Sequence, residues 1–236
     1  MKQKEVIGII GGLGPASTVD YYEKIIEKYR NLNGKDEYPN IIINSLNMTE
    51  IISHIELAEY EILTEKFIEN IAKLQKAGAT IGAISSNTPH IIFNEINIKS
   101  SIPLISIVTS TVKEAKNKGY KRVLLTGTIF TMSNDFYQKE FEKQNIGCIV
   151  PNEEDKQIIH NIIFPSLENG IVLEEDKLKF KKIVEKIISE EDIDAVILGC
   201  TELPLLIKGN DLSKPILDTT GIHIDRIVNQ LLSSFQ

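Results

Sequence analysis

The sequence predicts an α/β protein made of two similar lobes, each containing a parallel sheet with helices around it. One observation is that short apolar strands alternate with longer amphipathic segments along the whole chain, a pattern typical of parallel sheets. The other is a repeat. Residues 80–92 and 194–206 each contain an apolar strand, a polar cluster with Thr and Pro, and an apolar continuation. Because ligands bind at the carboxyl ends of parallel strands, the repeat favours two lobes whose polar strand ends face a cleft.

Most of the predicted strands are continuous apolar runs, as expected for strands buried on both faces. They cover residues 5–10, 40–46, 80–85, 103–107, 122–127, 148–150, 195–199 and 215–218. The helical segments cover roughly 17–30, 56–77, 87–97, 109–118, 131–144, 154–169, 175–190 and 220–234. We assign residues 1–98 and 209–236 to the first lobe and residues 99–208 to the second.

The composition argues against several classes of protein. The 33 acidic and 26 basic residues give a net charge of −7, which disfavours a nucleic-acid partner because such proteins need a basic face. No apolar run approaches the roughly 18 residues that cross a membrane, and the first residues do not resemble a signal peptide. We therefore expect a cytoplasmic protein with no membrane or nucleic-acid partner.

The cysteines and histidines do not form a metal-binding pattern. The two cysteines, Cys148 and Cys200, are too few for a disulfide framework or a cysteine-based zinc site. The four histidines show no HExxH motif and no paired spacing. We expect no metal.

A glycine-rich turn, GGLGP at residues 11–15, follows the first strand. It matches neither a dinucleotide fingerprint nor a P-loop. Ser17 and Asp20 have the spacing of a helix start signal. The turn either presents a helix N-terminus to a small anion such as a carboxylate or serves only as a structural cap.

Cys200 lies at the end of the strand 195–199 and is followed by a helix-like run. A helix N-terminus and partial exposure can lower the pKa of a thiol toward neutrality, so Cys200 is a candidate acid/base; a buried structural role is the alternative. Cys148 lies within a short apolar strand, which favours burial.

The other polar strand ends contain residues that could either cap helices or bind a ligand. Ser86, Asn87, Thr88 and His90 follow the third predicted strand, and capping or packing is the commoner use of such residues. Hydroxyls also crowd the turn at 126–131. No GxSxG motif surrounds any serine, so a serine hydrolase is weakly supported.

Five segments in order resemble the aspartate/glutamate racemase family of cofactor-independent racemases. They are GGLGP (11–15), SNTPH (86–90), TGTIFTM (126–132), IIFPSLENG (162–170) and GCTELP (199–204). Each motif is weak alone, but the ordered set is specific, and the similarity covers essentially the whole chain. The resemblance implies two α/β/α lobes related by pseudo-twofold symmetry, with the active site in the cleft between them.

In this family, two cysteines flank the α-carbon of the substrate, and no pyridoxal phosphate is used. A thiolate removes the α-proton from one face and a thiol protonates the other, as inversion through a planar intermediate requires. The resemblance implies that Cys200 is a catalytic residue. The candidate substrate-binding residues are Gly11, Gly12, Asn47, Asn87, Thr88, Thr128, Thr131, Thr201 and Glu202.

The sequence departs from the family pattern at two places. Ser86 stands where the first cysteine is expected, and a hydroxyl is a weaker base that could still relay a proton through water or His90. Some aspartate racemases carry basic residues where this chain has Met48 and Glu168. Basic partners for the side-chain carboxylate of aspartate are therefore missing from these positions. This leaves glutamate or another amino acid open as the substrate.

The leading hypothesis is a homodimeric racemase of a small amino acid, aspartate or glutamate, with Cys200 and Ser86 as acid/base groups and no cofactor or metal. Two alternatives stay open. One is a lyase or isomerase of the same superfamily that uses a single cysteine. The other is a non-catalytic protein that binds an amino acid or another carboxylate.

Overall fold

A computed structural model describes residues 5–34 and 36–233. The chain forms two compact units, Met1–Ile107 with His223–Gln236 and Val108–Ile222. Each unit contains a four-stranded parallel sheet flanked by helices. The prediction of an α/β protein with two similar sheets is confirmed.

The first unit contains the sheet of order β2-β1-β3-β4. Its strands are β1 (Val6–Gly11), β2 (Asn40–Ser45), β3 (Ile81–Ile84) and β4 (Leu104–Ile105). Its helices are α1 (Pro15–Asn33), α2 (Met48–Glu56), α3 (Tyr60–Lys76) and α4 (Phe93–Lys99), with a 3₁₀ turn at Thr88–Ile92.

The second unit contains a sheet of matching order, β6-β5-β7-β8. Its strands are β5 (Arg122–Thr126), β6 (Gly147–Ile149), β7 (Ala195–Leu198) and β8 (Ile216–Asp218). Its helices are α5 (Ile107–Asn117), α6 (Ile129–Ser133), α7 (Phe136–Glu142), α8 (Glu153–Ile163), α9 (Glu174–Glu190) and α10 (Leu203–Leu206), with a 3₁₀ turn at Leu167–Asn169. Helix α11 (Thr219–Ser233) crosses from the second unit into the first.

The unit boundaries differ from the predicted lobes. Residues 103–107 were expected in the second lobe, but β4 pairs with β3 in the first sheet, with Gly82 opposite Leu104. Residues 215–218 were expected in the first lobe, but β8 pairs with β7. In each case the short strand pairs in parallel with the strand that precedes it in the chain, as consecutive strands of a βαβ unit usually do.

Helix α11 returns to the first unit, as predicted for the C-terminal helix. Its apolar residues Ile224, Ile227 and Val228 pack with Ile7 and Tyr21 in the first core. The second unit has its own core, which includes Cys200 and Leu203.

Some helix predictions were wrong in detail. Ser17 was expected to cap α1, but the helix begins at Pro15 with Gly14 before it, as suits proline at a first helical position. The single helix expected at 131–144 is two, because Asn134 is extended. Helix α2 (Met48–Glu56) was not predicted, since the helix expected at 56–77 corresponds to α3. Helix α10 was indicated only as a helix-like run. None of the helices in the described part of the chain is long and apolar enough to cross a membrane.

Candidate active site

Ser86 and Cys200 occupy corresponding positions in the two sheets. In the first unit, the amide of Ser85 donates to the carbonyl of Ile10 at 3.0 Å, just past the end of β3. In the second, the amide of Gly199 donates to the carbonyl of Thr126 at 2.7 Å, just past the end of β7. The next residue is Ser86 in one sheet and Cys200 in the other. The hydroxyl and the thiol therefore occupy equivalent positions in the two sheets. Each follows the carboxyl end of the third strand of its sheet in chain order, β3 or β7.

The glycine turn after β1 is tightly packed and internally bonded. Gly12 has φ +80°, and a Cβ there would lie 2.4 Å from the carbonyl of Leu46, so only glycine fits. Its amide donates to Thr18 Oγ1 at 2.9 Å, and the carbonyl of Gly11 accepts from the amide of Leu46 at 2.9 Å. The Gly12 amide, one of the groups expected to face a carboxylate, already has a partner.

Three hydroxyls connect this turn to the end of β3, and sequence reasoning missed this network. Ser17 Oγ donates to the carbonyl of Ser85 at 2.9 Å. The Ser85 hydroxyl donates to the carbonyl of Ile10 at 3.2 Å and lies 3.4 Å from Thr18 Oγ1. The hydroxyls of α1 therefore fix the backbone immediately before Ser86. Their only sequence signal was a pair of hydroxyl residues in the first turn of a helix, which is commonplace.

The polar residues after β3 lie at different depths. Asn87 is buried, whereas Ser86 and Thr88 are partly exposed. In the described part of the chain, no group hydrogen-bonds the Ser86 hydroxyl. A hydroxyl in this state can bond a substrate or a water molecule.

His90 does not act as the proton relay expected for the Ser86 hydroxyl. One ring nitrogen, Nδ1, lies 2.9 Å from the backbone carbonyl of Ser86. The other, Nε2, accepts from the amide of Ile107 at 3.3 Å. Both nitrogens are used by backbone groups, so the ring is fixed and the Ser86 side chain is not among its partners.

Asn47, another candidate binding residue, caps helix α2. Its side-chain oxygen accepts from the amide of Thr49 at 3.2 Å. This is the ordinary role of asparagine at a helix start. Met48, the next residue, is the first residue of that helix.

In the second unit, Cys200 and Thr201 share one carboxylate. Cys200 Sγ donates to Glu202 Oε2 at 2.9 Å, and Thr201 Oγ1 donates to the same oxygen at 2.8 Å. Cys200 and Glu202 are both buried, at 7% and 8% exposure. The carboxylate can therefore receive a proton from the thiol or return one to it.

The pKa of Cys200 is raised, and is not lowered as a helix N-terminus with partial exposure would make it. Burial is the largest cause, followed by the negative charge of Glu202 and the hydrogen bond to it. Helix α10 after it has four residues, too short to offset these effects through its dipole. The resting thiol is protonated and is ready to act as an acid.

Glu168 adds a second carboxylate to the surroundings of Cys200. Its pKa is raised by burial and by the charge of Glu202, and its own charge contributes to the raised pKa of Cys200. Glu168 lies in the 3₁₀ turn at Leu167–Asn169. Near the thiol the structure thus places a second acidic group, Glu168, at a position where the family resemblance implies a basic residue in some aspartate racemases.

Thr128 and Thr131 shape the neighbouring turn. Thr128 caps α6, since its Oγ1 accepts from the amide of Thr131 at 3.3 Å and lies 3.1 Å from Thr131 Oγ1. Thr131 is fully buried, and a Cβ placed on Gly199 would lie 3.4 Å from its methyl group. The start of α6 therefore packs against the residue that precedes Cys200.

The second thiol, Cys148, lies in β6, away from these strand ends. The residue is half-buried, where the sequence favoured full burial, and desolvation of the thiol raises its pKa to about 12. Across residues 5–34 and 36–233, no three His, Cys, Asp or Glu side chains are arranged to hold a metal ion. The candidate residues of the two units therefore offer hydroxyl, amide, thiol and carboxyl groups.

Comparison with known proteins finds a family model and related racemases. A family model described as Asp/Glu/Hydantoin racemase matches residues 10–227. A broad specificity amino-acid racemase of Bacillus subtilis (strain 168) is 27% identical over 231 residues, which are 97% of this chain and 99% of the relative.

Solved structures show the same fold. An aspartate racemase homologue from Pyrococcus horikoshii OT3 is 38% identical, with a TM-score of 0.87 over 98% of this chain and 100% of that one. The aspartate racemase of Picrophilus torridus, 24% identical, has a TM-score of 0.78 over 96% and 94% of the two chains. Since the family model matches most of the sequence, this chain belongs to the Asp/Glu/hydantoin racemase family of enzymes.

Proposed function

We propose that this protein racemises a small amino acid, aspartate or glutamate, with Cys200 as the main acid/base and Ser86 in place of a second cysteine. One observation carries the proposal: the thiol and the hydroxyl follow equivalent strands of two matching sheets. Racemisation needs one group for each face of the α-carbon, and an internal repeat supplies such a pair.

The Cys200–Glu202 bond supports an acid/base role for the thiol. When the thiol must act as a base, its proton passes to the Glu202 carboxylate, and the thiolate then takes the α-proton of the substrate. The electron pair of the broken C–H bond remains on the planar intermediate. When the thiol acts as an acid, its S–H proton goes to the α-carbon.

Ser86 serves the opposite face as a relay. Its hydroxyl gives a proton to the intermediate and takes one from water, because a free alkoxide would be costly at neutral pH. The hydroxide left from that water is neutralised by the proton that Glu202 releases to solvent, so both side chains return to their resting forms. The reverse reaction passes the proton along the same route. Asn87, Thr88 and Thr201 are proposed to hold the carboxylate and amino groups of the substrate, as the family resemblance implies.

The carboxylates near Cys200 bear on the choice of substrate. Glu168 and Glu202 each carry an acidic group there, and like charges repel a substrate with an anionic side chain. Neutral amino acids therefore belong in the substrate test beside aspartate and glutamate.

A lyase or isomerase that uses one cysteine is a second candidate. The raised pKa of Cys200 favours it, because a protonated thiol can deliver a proton to an enolate on one face without help from a second residue.

We also propose that the enzyme is a cytoplasmic homodimer that uses no pyridoxal phosphate. These properties follow from the family resemblance and, for the location, from the sequence features described above.

The test is incubation with both enantiomers of aspartate, glutamate and alanine in D₂O, with α-deuteration followed by NMR and enantiomers separated by chiral chromatography. The proposal predicts deuteration with inversion, lost in Cys200→Ala and kept in the matched control Cys148→Ala. Deuteration without inversion would favour the second candidate. No exchange with any of them would contradict the proposed reaction.

A further inference from the structure

His90 joins two neighbouring strands where their backbone pairing ends. The last paired residues of β3 and β4 are Ala83 and Ile105. Beyond that point, the His90 ring lies between the carbonyl of Ser86, at 2.9 Å, and the amide of Ile107, at 3.3 Å. The imidazole therefore takes the place of a direct hydrogen bond between the two segments.

The partners of His90 fix its tautomer. Nε2 accepts from the Ile107 amide, so it must carry a lone pair. Nδ1 faces a carbonyl and must therefore carry the proton. The ring is neutral and buried, and it stacks on Phe93 with 4.9 Å between centroids. It cannot rotate without breaking both hydrogen bonds.

A second buried histidine, His223, contacts the last residue of β4 near the same point. His223 lies 2.8 Å from the Tyr21 hydroxyl through Nδ1 and 2.9 Å from the carbonyl of Ile105 through Nε2. Its ring meets that of His90 edge-on, with centroids 6.5 Å apart. His223 belongs to the same packed cluster as His90 but makes no hydrogen bond to Ser86.

We propose that His90 is a positioning residue for Ser86: by bridging the Ser86 carbonyl to the Ile107 amide, it sets the direction of the Ser86 hydroxyl. This inference rests on the proposed function. Catalytic groups require placement within a fraction of an ångström, and Ser86 follows the end of its strand, where the sheet no longer restrains it. The hydroxyl network at Ser85 holds one side of Ser86, and His90 holds the other.

The test compares His90→Phe with His223→Phe. Both lose hydrogen bonds in the same cluster, but only His90→Phe frees the Ser86 carbonyl. Each purified variant is given each enantiomer of a substrate in D₂O. We expect His90→Phe to lose at least about tenfold in kcat for inversion, with KM little changed. This is less than the roughly 10²–10⁴-fold that a positioned acid/base contributes, because Ser86 is displaced and not removed. It should keep deuteration of the enantiomer whose proton Cys200 removes. His223→Phe should exchange both enantiomers.

His90→Asn is the conservative variant, since its amide nitrogen can reach the Ser86 carbonyl as Nδ1 does. We expect it to recover most of the inversion rate. The positioning role is overturned if His90→Phe slows exchange of both enantiomers equally, if His223→Phe has the same effect as His90→Phe, or if His90→Asn recovers nothing. A wild-type protein that exchanges no α-proton would instead contradict the proposed function and this inference with it.

Discussion

Glu202 helps to set the pKa of the Cys200 thiol. The carboxylate accepts a hydrogen bond from the thiol at 2.9 Å and adds negative charge beside it. Both effects raise the pKa of Cys200. The same carboxylate is the nearest acceptor when that proton must leave. One residue thus stabilises the thiol form of Cys200 and, in the proposed reaction, also takes its proton.

We predict that Glu202→Gln lowers the pKa of Cys200 toward the ordinary thiol value of about 8.5, because the charge and the strong acceptor are both removed. The measurement is the pH titration of the ¹³Cβ signals of labelled cysteine. Cys148, whose pKa burial raises to about 12, is an internal control and should stay protonated through the same range. An unchanged Cys200 midpoint would mean that burial alone sets its pKa.

Which site residues could be predicted from the sequence depends on what places them. Ser86 and Cys200 could be selected as candidates because each follows an apolar strand at an abrupt change to polar residues. The Cys200–Glu202 bond was not, since it depends on side-chain conformations two residues apart. The contact of His90 with Ile107 depends on which sheet β4 joins, and the sequence assigned that strand to the wrong unit.

At the scale of elements, the start of α6 sets the shape of the turn that contains Cys200. Thr128 caps this five-residue helix, and Thr131 packs against Gly199. A short helix has few hydrogen bonds of its own. The hydrogen bond from its cap is therefore a large share of the interactions that stabilise it.

We predict that Thr128→Ala costs about 1 kcal/mol of stability and also slows α-proton exchange, because α6 loosens beside Gly199. Asn152→Ala is the matched control. Asn152 caps α8 through a 2.9 Å bond to the amide of Asp155, and its loss should cost similar stability and leave exchange intact. Urea unfolding and NMR exchange rates check both. Equal effects of the two substitutions on exchange would contradict a local role for α6.

At the scale of the whole molecule, two sheets of the same strand order explain why a hydroxyl and a thiol occupy matching places. The alternation of strands and helices made this architecture predictable. The boundaries were not, because β4 and β8 are two and three residues long. Strands this short have too little pattern to show which sheet they join.

The buried histidines make the stability of the molecule depend on pH. Burial lowers the pKa of His90 to about 3, with the nearby His223 adding to the shift, and burial lowers that of His223 to about 4. An unfolded histidine has a pKa of about 6.5. As the pH falls from about 6.5 toward 4, the unfolded chain therefore binds protons that the folded protein does not, and stability is lost.

We predict that His223→Gln reduces the slope of unfolding free energy against pH by up to about 1.4 kcal/mol per pH unit in the window from 6.5 to 4. Above pH 6.5, where both states hold a neutral ring, the slope should not change. Urea unfolding at several pH values measures it. A slope identical to that of the wild type would mean that His223 binds its proton equally well in both states.

The proposed reaction requires Ser86 and Cys200 to act on opposite faces of one substrate. The most direct measurement is α-deuteration of each separate enantiomer in D₂O by Ser86→Ala and by Cys200→Ala. We expect inversion to be lost in both variants, and we expect each variant still to exchange one enantiomer, a different one in each case. If both variants lose exchange of the same enantiomer, or if Ser86→Ala inverts as fast as the wild type, Ser86 is not the second acid/base.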